Sequence, residues 1–452
     1  MKIRLSLLVL MAILLSCQPE SPKHNNTNTA LLTAALNAEA YLHENIIEES
    51  PNTLSWKMMP DSANSPIDVS LYSGVPGIVL FYLELYNATG NTDHLNKAEK
   101  GANYMLETMS AIKPNVNTVG LYTGIAGIGY MASEIYQVTK APKYKEAIVN
   151  TVDMLANSAT KTVHGVHWGM TSDIVYGAAG IGLYLNKVAD EYNIKKADIL
   201  SVLVANQLLE QSTVSEDGLR WKMSPGMDIH MDNFSHGTAG VAYYLAEMFE
   251  RTGNEDYLVA AKAAGNWLAK STNDEGLVAH HLPGGEDLYY LSWCHGPAGT
   301  TRLYYALYEI TGENQWLDLI NNAANGVIAL EIDEKRTPGY WNNVGKCCGD
   351  SGVAEHYLWL YEITGNEDYL SFAKKLTQNI LAAADNSEGI LKWIHAENRR
   401  SPDEIAAQTG LMQGTAGIGL WLLQLNAFEE GKPSQIQLPD KPKAKRIEMT
   451  ND

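Results

Sequence analysis

Apolar runs recur along the chain, and each is entered through the same four-residue signal, Gly-x-x-Gly. The first glycines of the seven copies are Gly74, Gly124, Gly177, Gly237, Gly296, Gly349 and Gly414, at intervals of about 50 to 65 residues. Runs such as Ile78-Val79-Leu80-Phe81-Tyr82-Leu83 and Val241-Ala242-Tyr243-Tyr244-Leu245 are apolar nearly all round, the pattern of a buried helix. Several stop at a Thr-Gly pair (Thr89-Gly90, Thr252-Gly253, Thr311-Gly312, Thr364-Gly365), where glycine suits a left-handed helix cap. A second, amphipathic segment follows, opening with acids as in Asn254-Glu255-Asp256 and Asn366-Glu367-Asp368, which complement a helix dipole.

With an amphipathic segment at about 30–48 counted first, the order reads outer helix, loop, Gly-x-x-Gly, inner helix, seven times over. A fixed period of this kind predicts a repeat architecture. An open solenoid would leave one side of every inner helix in water, so the expected fold is all-α: a closed α/α toroid of seven inner helices ringed by seven outer ones. The first glycine of each copy is expected to take backbone angles closed to other residues, and the second to let inner helices approach closely. Long loops rich in Trp, His, Asn, Pro and Gly precede the later copies, at 221–235 and 393–410, and are expected to carry the site. Residues 30–428 form the expected barrel, and 429–452 read as a flexible, proline-dotted polar tail.

A hydrophobic content of 45% and a charged content of 19% describe a globular chain with ample core. The net charge of −19, with no basic cluster in the body, argues against a nucleic-acid partner. At the N-terminus, Lys2 and Arg4 precede an apolar run over 5–15 that is too short for a stable bilayer anchor. Leu14-Leu15-Ser16-Cys17 resembles a bacterial lipobox, so 1–17 is expected to be a signal peptide with Cys17 lipidated, and 18–29 a polar tether. The expected location is outside the cytoplasm, as a membrane-anchored lipoprotein on the periplasmic side or cell surface, touching the membrane only through that lipid; an ordinary cleaved signal is the alternative.

With Cys17 set aside, Cys294, Cys347 and Cys348 remain, and all three lie one or two residues before a repeat glycine. An odd number of exported cysteines makes a poor disulfide framework. In a closed barrel the positions one before each first glycine form a ring: Ser73, Thr123, Tyr176, His236, His295, Cys348 and Gln413. One residue further back the ring reads Tyr72, Tyr122, Val175, Ser235, Cys294, Cys347 and Met412. The metal-type side chains cluster in repeats four to six. Three thiolates would hold Zn2+ with a fourth position open to a substrate thiol; an adjacent Cys347–Cys348 disulfide or plain buried thiols are the alternatives. His236 on the rim suits acid–base work, against a structural role. Asp173, four residues before Gly177, either orients that histidine or caps a helix. His295 reads as a donor behind the ligands or as a ligand, and Asp228, His230 and Asp232 remain unassigned.

These features together resemble the lanthionine synthetase C-like family: seven Gly-x-x-Gly hairpins, Trp293-Cys294-His295-Gly296, Cys347-Cys348-Gly349, Ser235-His236-Gly237, and Asp173 ahead of Gly177. The resemblance implies zinc on Cys294 and Cys347 with a third ligand at Cys348, where most members carry histidine. It also implies addition of a substrate cysteine thiolate to a dehydroamino acid in a peptide, forming a thioether, with His236 and Asp173 in acid–base roles. Cyclases tend to carry arginine four residues before the first zinc cysteine, where this chain has Tyr290, and His295 is closer to the eukaryotic motif. Two other readings stand beside it: a zinc-dependent binder of thiol peptides or glutathione, and a carbohydrate-active α/α barrel pairing Asp173 with Asp232 or Glu286.

Overall fold

A computed structural model describes residues 27–336 and 340–447; the expected signal peptide and residues 18–26 of the expected tether lie outside the described residues. The inner layer consists of α2 (Val75–Thr89), α4 (Ile125–Thr139), α6 (Ala178–Tyr192), α8 (Thr238–Thr252), α10 (Pro297–Thr311), α12 (Asp350–Thr364) and α14 (Thr415–Glu429). Around it lie α1 (Thr27–Glu44), α3 (Thr92–Met109), α5 (Pro142–Ser158), α7 (Lys195–Glu210), α9 (Glu255–Ser271), α11 (Asn314–Ala329) and α13 (Glu367–Ala382). Each inner helix packs on the next around the ring, and α14 returns to α2, so the toroid is closed.

The tight unit is an inner helix followed by an outer one. Gly90, Gly253, Gly312 and Gly365 end their inner helices with φ between 66° and 73°, as the Thr-Gly pairs predict. Lys140 and Asn193 take the same left-handed conformation after α4 and α6. Asn91, Asn254 and Asn366 then cap α3, α9 and α13, each side chain accepting the N–H two residues on. The expected pairing is off by half a repeat: α1 does not precede α2 as its partner but packs against α14, supplying the last outer helix. The described residues begin in the outer layer, so closure falls to the first and last described helices. The first of these also starts at Thr27, inside the expected tether.

A belt of backbone hydrogen bonds closes the same ring at the N-terminal ends of the inner helices. Tyr72 donates its N–H to Tyr122, Tyr122 to Val175, Ser235 to Cys294, Cys294 to Cys347, Cys347 to Met412 and Met412 back to Tyr72; Ile174 bridges to Ser235. These are the positions two before each first glycine, with one register step at Ile174.

The glycines serve that belt, and not quite as expected. First glycines such as Gly74 and Gly296 have φ of −111° and −108°, ordinary extended backbone rather than a conformation reserved for glycine. Their constraint is space, because the loop doubles back so tightly that a Cβ at Gly237 would overlap the Met231 carbonyl. The second glycines make room for the neighbouring repeat's loop rather than, as expected, for its inner helix. A Cβ at Gly240 would overlap the Phe234 carbonyl and lie 2.6 Å from the Ile174 side chain of the neighbouring repeat.

Short two-stranded ribbons link outer helices to the next loop. Four buried tryptophans pin these loops by donating an indole N–H to a carbonyl 13 or 14 residues back in an outer helix: Trp56 to Leu42, Trp168 to Leu155, Trp221 to Leu208 and Trp393 to Ile380. The expected flexible tail is corrected. Residues 430–447 run back through the end of the barrel opposite the belt, with Ile436, Asp440 and Ile447 buried and Tyr130 donating to the Gln437 carbonyl. A polar composition reads as frayed only while the polar lumen that satisfies it is out of view. Among the described residues no helix is long and apolar enough to cross a membrane.

Replacing Gly240 with alanine is expected to destabilise the fold by about 2 kcal/mol or more through overpacking. Gly253→Ala, where a Cβ meets nothing within 4 Å but φ is +69°, is expected to cost only about 1 kcal/mol. Urea midpoints for the two variants, with m unchanged, check the order.

Candidate metal centre

The belt delivers three sulfurs to one point. Cys294 and Cys347 occupy equivalent positions in adjacent repeats, joined through the Cys294 N–H to Cys347 carbonyl bond of 3.1 Å, and Cys348 follows directly. The ligand atoms all lie within 4.8 Å of one another. Cys348 Sγ is 3.3 Å from Cys294 Sγ and 3.4 Å from Cys347 Sγ, and all three are free thiols, so the adjacent disulfide is not formed. Cys294 and Cys347 are buried, whereas Cys348 is half-buried and opens toward the mouth.

The electrostatics of this cluster suit a soft cation. Burial pushes the Cys294 and Cys347 thiols well up, while hydrogen bonds from those two neighbours draw Cys348 well down. The Gln413 amide is a neutral donor beside Cys348, its Nε2 3.5 Å from Sγ. Three sulfur donors with no carboxylate among them are the donor set of a zinc-type ion, and the residues present fit one.

Gln413 and Tyr72 frame the cluster from the far side. The Gln413 amide also donates to the Tyr72 hydroxyl at 3.1 Å and accepts from Asn343 Nδ2 at 3.0 Å. Burial first, then the Cys347 and Cys348 thiolates, hold the Tyr72 hydroxyl far above its usual range, so it stays protonated as a donor. Both residues stand in the rings read from the sequence, but nothing in their residue type singled them out; their contacts with the sulfurs do.

The two repeats before Cys294 each contribute one member of an acid–base pair. His236 Nδ1 lies 2.8 Å from Asp173 Oδ2, and the fully buried Asp173 also accepts the Tyr176 N–H at 3.1 Å through its other oxygen. Asp173 therefore orients the histidine and braces the loop before α6. His236 is held from below by its own N–H donating to Asn233 Oδ1 at 2.8 Å, and its side chain stays 24% exposed at the mouth.

His295 falls outside the sulfur cluster. Its ring lies flat on His280 at 4.0 Å, with Tyr290 at 5.2 Å and His236 at 5.8 Å, and neither ring nitrogen has a hydrogen-bond partner. Burial, then His280, holds it neutral. His280, Tyr290 and Trp341 make an aromatic wall that sequence reading missed, because His280 and Trp341 come from loops whose path only the fold reveals.

The carboxylate pairs of the sugar-enzyme reading do not form. Asp232 is taken up by Arg220, Thr238 and the Trp267 indole, and exposed Glu286 caps the Gly284 N–H. Asp228 is exposed, and His230 pairs through its backbone with Leu282.

The site is thus a closed double ring of helices with three thiols and a histidine–aspartate pair at its mouth. The chain belongs to the lanthionine synthetase C-like protein family, whose family model matches residues 65–436. It is 24% identical over 316 residues to glutathione S-transferase LANCL1 of Danio rerio, covering 68% of this chain and 73% of that protein. It is 23% identical over 269 residues to the nisin biosynthesis protein NisC of Lactococcus lactis subsp. lactis, covering 52% of this chain and 62% of that one. A solved structure of nisin cyclase superposes with a TM-score of 0.58 at 21% identity, over 80% of this chain and 89% of that one, which agrees with the toroid.

Burial, reinforced by His281 and His236, pushes His280 down to about 4 from an ordinary value of 6.5. Between those values the unfolded chain takes up a proton that the folded chain refuses, so stability falls as pH drops through that window. His280→Gln is expected to flatten this part of the profile, which urea melts at pH 7 and pH 4.5 would measure.

Proposed function

We propose that this chain holds a zinc ion on Cys294, Cys347 and Cys348 and adds a thiol across the double bond of a dehydroamino acid in a peptide, forming a thioether. The observation that carries it is the meeting of three sulfurs within 4.8 Å with the His236–Asp173 pair, drawn from the two preceding repeats, at the same mouth. Zinc bound there would lower the pKa of an incoming thiol and keep it nucleophilic at neutral pH.

The protein's own residues handle the proton and the geometry. Asp173 holds His236 Nδ1, which leaves Nε2 to meet the substrate. The thiol proton passes to His236 as the new carbon–sulfur bond forms at Cβ of the dehydroamino acid. The π pair of the broken double bond moves to Cα as an enolate, and His236 returns the proton there, so atoms and charge balance. Gln413, whose amide donates to Cys348, and Tyr72, whose hydroxyl stands beside Cys347, lie where negative charge gathers. The half-buried Cys348 marks the side from which substrate enters, and neutral His295 with His280 and Tyr290 forms the apolar wall that keeps water away.

A second reading differs in the thiol. The similarity to a protein named glutathione S-transferase LANCL1 favours glutathione, added from solution, as the nucleophile in place of a cysteine of the same peptide. The N-terminal signal is proposed to place the reaction outside the cytoplasm, tethered through Cys17.

Purified protein is expected to carry about one zinc per chain, lost in Cys347→Ala. His236→Ala is expected to keep the metal while thioether formation falls by roughly 10²–10⁴-fold. Metal analysis and mass spectrometry of a dehydroalanine peptide, offered with an internal cysteine or with glutathione, check both points and decide between the two thiols. A metal-free wild type would overturn the reading.

A further inference from the structure

The position three before each first glycine is buried in every repeat. It reads Leu71, Leu121, Ile174, Phe234, Trp293, Lys346 and Leu411. Only two members carry a polar atom, and they are the residues immediately before Cys294 and Cys347. Both polar atoms are answered, directly or through one residue, by two consecutive residues of the C-terminal segment. Asp440, which is fully buried, accepts the Trp293 indole N–H at 2.8 Å and Arg302 Nη1 at 2.8 Å on Oδ2, and the Tyr122 hydroxyl at 2.9 Å on Oδ1. Lys441 donates to Glu355 Oε1 at 3.2 Å, and the other oxygen of Glu355 takes the Lys346 ammonium at 2.5 Å.

We infer that Asp440 and Lys441 are positioning residues for the metal centre. The C-terminal segment runs back through the barrel and braces both cysteine loops from beneath, on the face opposite the mouth. The arrangement is built rather than incidental. Asp440 joins four elements: Tyr122 before α4, Trp293 before α10, Arg302 on α10, and the C-terminal segment. Arg302 in turn lies over the Phe234 ring at 5.1 Å, and the Trp293 ring packs against Tyr122 at 5.0 Å and Phe234 at 6.1 Å. A carboxylate with three donors fixes the orientation of the indole, and the backbone of Trp293 is continuous with Cys294. On the other arm, Glu355 stays ionised although buried, because Lys346 and Lys441 oppose its desolvation. Loss of the Asp440 carboxylate would leave the Trp293 N–H unpaired and Arg302 without its counter-ion, held only by the Ala298 and residue-440 carbonyls, so the Cys294 loop could move out of register. Outer partners of metal ligands typically carry 10–100-fold in metal affinity.

This inference rests on the zinc reading above, and the test separates the two. Full-length wild type, Asp440→Asn, Trp293→Phe and Lys445→Ala are loaded with zinc for chelator competition and with cobalt for the thiolate absorption bands. Apo-protein melting is followed in parallel. Asp440→Asn is expected to weaken zinc by 10-fold or more and to shift the cobalt bands. Trp293→Phe, which keeps a ring but deletes the N–H, is expected to weaken zinc about 3-fold or more and guards against misfolding of the first variant. Lys445→Ala, which removes only the rim ion pair with Glu309, is expected to leave both readouts alone. Folded Asp440→Asn or Trp293→Phe with wild-type zinc affinity and cobalt bands, whatever the melting temperature, would overturn the inference. A wild type that binds no metal would overturn the zinc reading itself.

Discussion

The belt of backbone hydrogen bonds at the barrel mouth is the constraint on which the rest depends. Each link joins the loop before one inner helix to the loop before the next, and Met412 returns the chain of bonds to Tyr72. A buried amide without a partner is costly, so each repeat must stay in register with its neighbours or lose a bond on both sides. The tight turns that create the register leave no room for a Cβ, which is why glycine recurs at positions whose backbone angles any residue could adopt. The side chains flanking the belt therefore meet at one fixed level, and a chemistry placed in adjacent repeats is brought together without further design.

That geometry explains how three thiols can share so small a volume. Burial pushes the Cys294 and Cys347 thiols up, while hydrogen bonds from those two draw Cys348 down. Residues around the cluster include the donors Gln413 and Tyr72 and the stacked rings of His280 and His295. Two carboxylates at the mouth are engaged elsewhere, Asp173 with His236 and Glu397 with the Gln408 amide. A soft cation with an anionic thiol as its extra ligand is the guest such surroundings favour, and this is the physical basis of the proposed thiol addition.

The C-terminal segment gives the barrel a second organising layer. Through Asp440 and Lys441 it meets the two polar side chains that interrupt an otherwise apolar ring, and so connects the lumen to the cysteine loops. The chain's two ends thus have complementary tasks: α1 completes the outer wall against α14, and residues 430–447 fill the inside.

Periodicity alone determined the architecture. Seven all-apolar runs behind Gly-x-x-Gly can be buried only by one another, and seven amphipathic partners can only lie outside them, so the closed double ring follows from pattern and count. The sulfur donors and His236 were legible for a related reason: their distance from the nearest glycine places them in a ring whatever the loops do. Tertiary structure decided what depends on contacts between segments distant in sequence. That Asp173 reaches His236, that His295 stacks on His280 instead of joining the three cysteines, and that Asp232 is consumed by Arg220 and Trp267 are facts of loop path. The tail shows the limit most clearly, because Asp440 is an ordinary solvated acid in sequence and becomes a buried junction only where Trp293, Tyr122 and Arg302 converge to satisfy it.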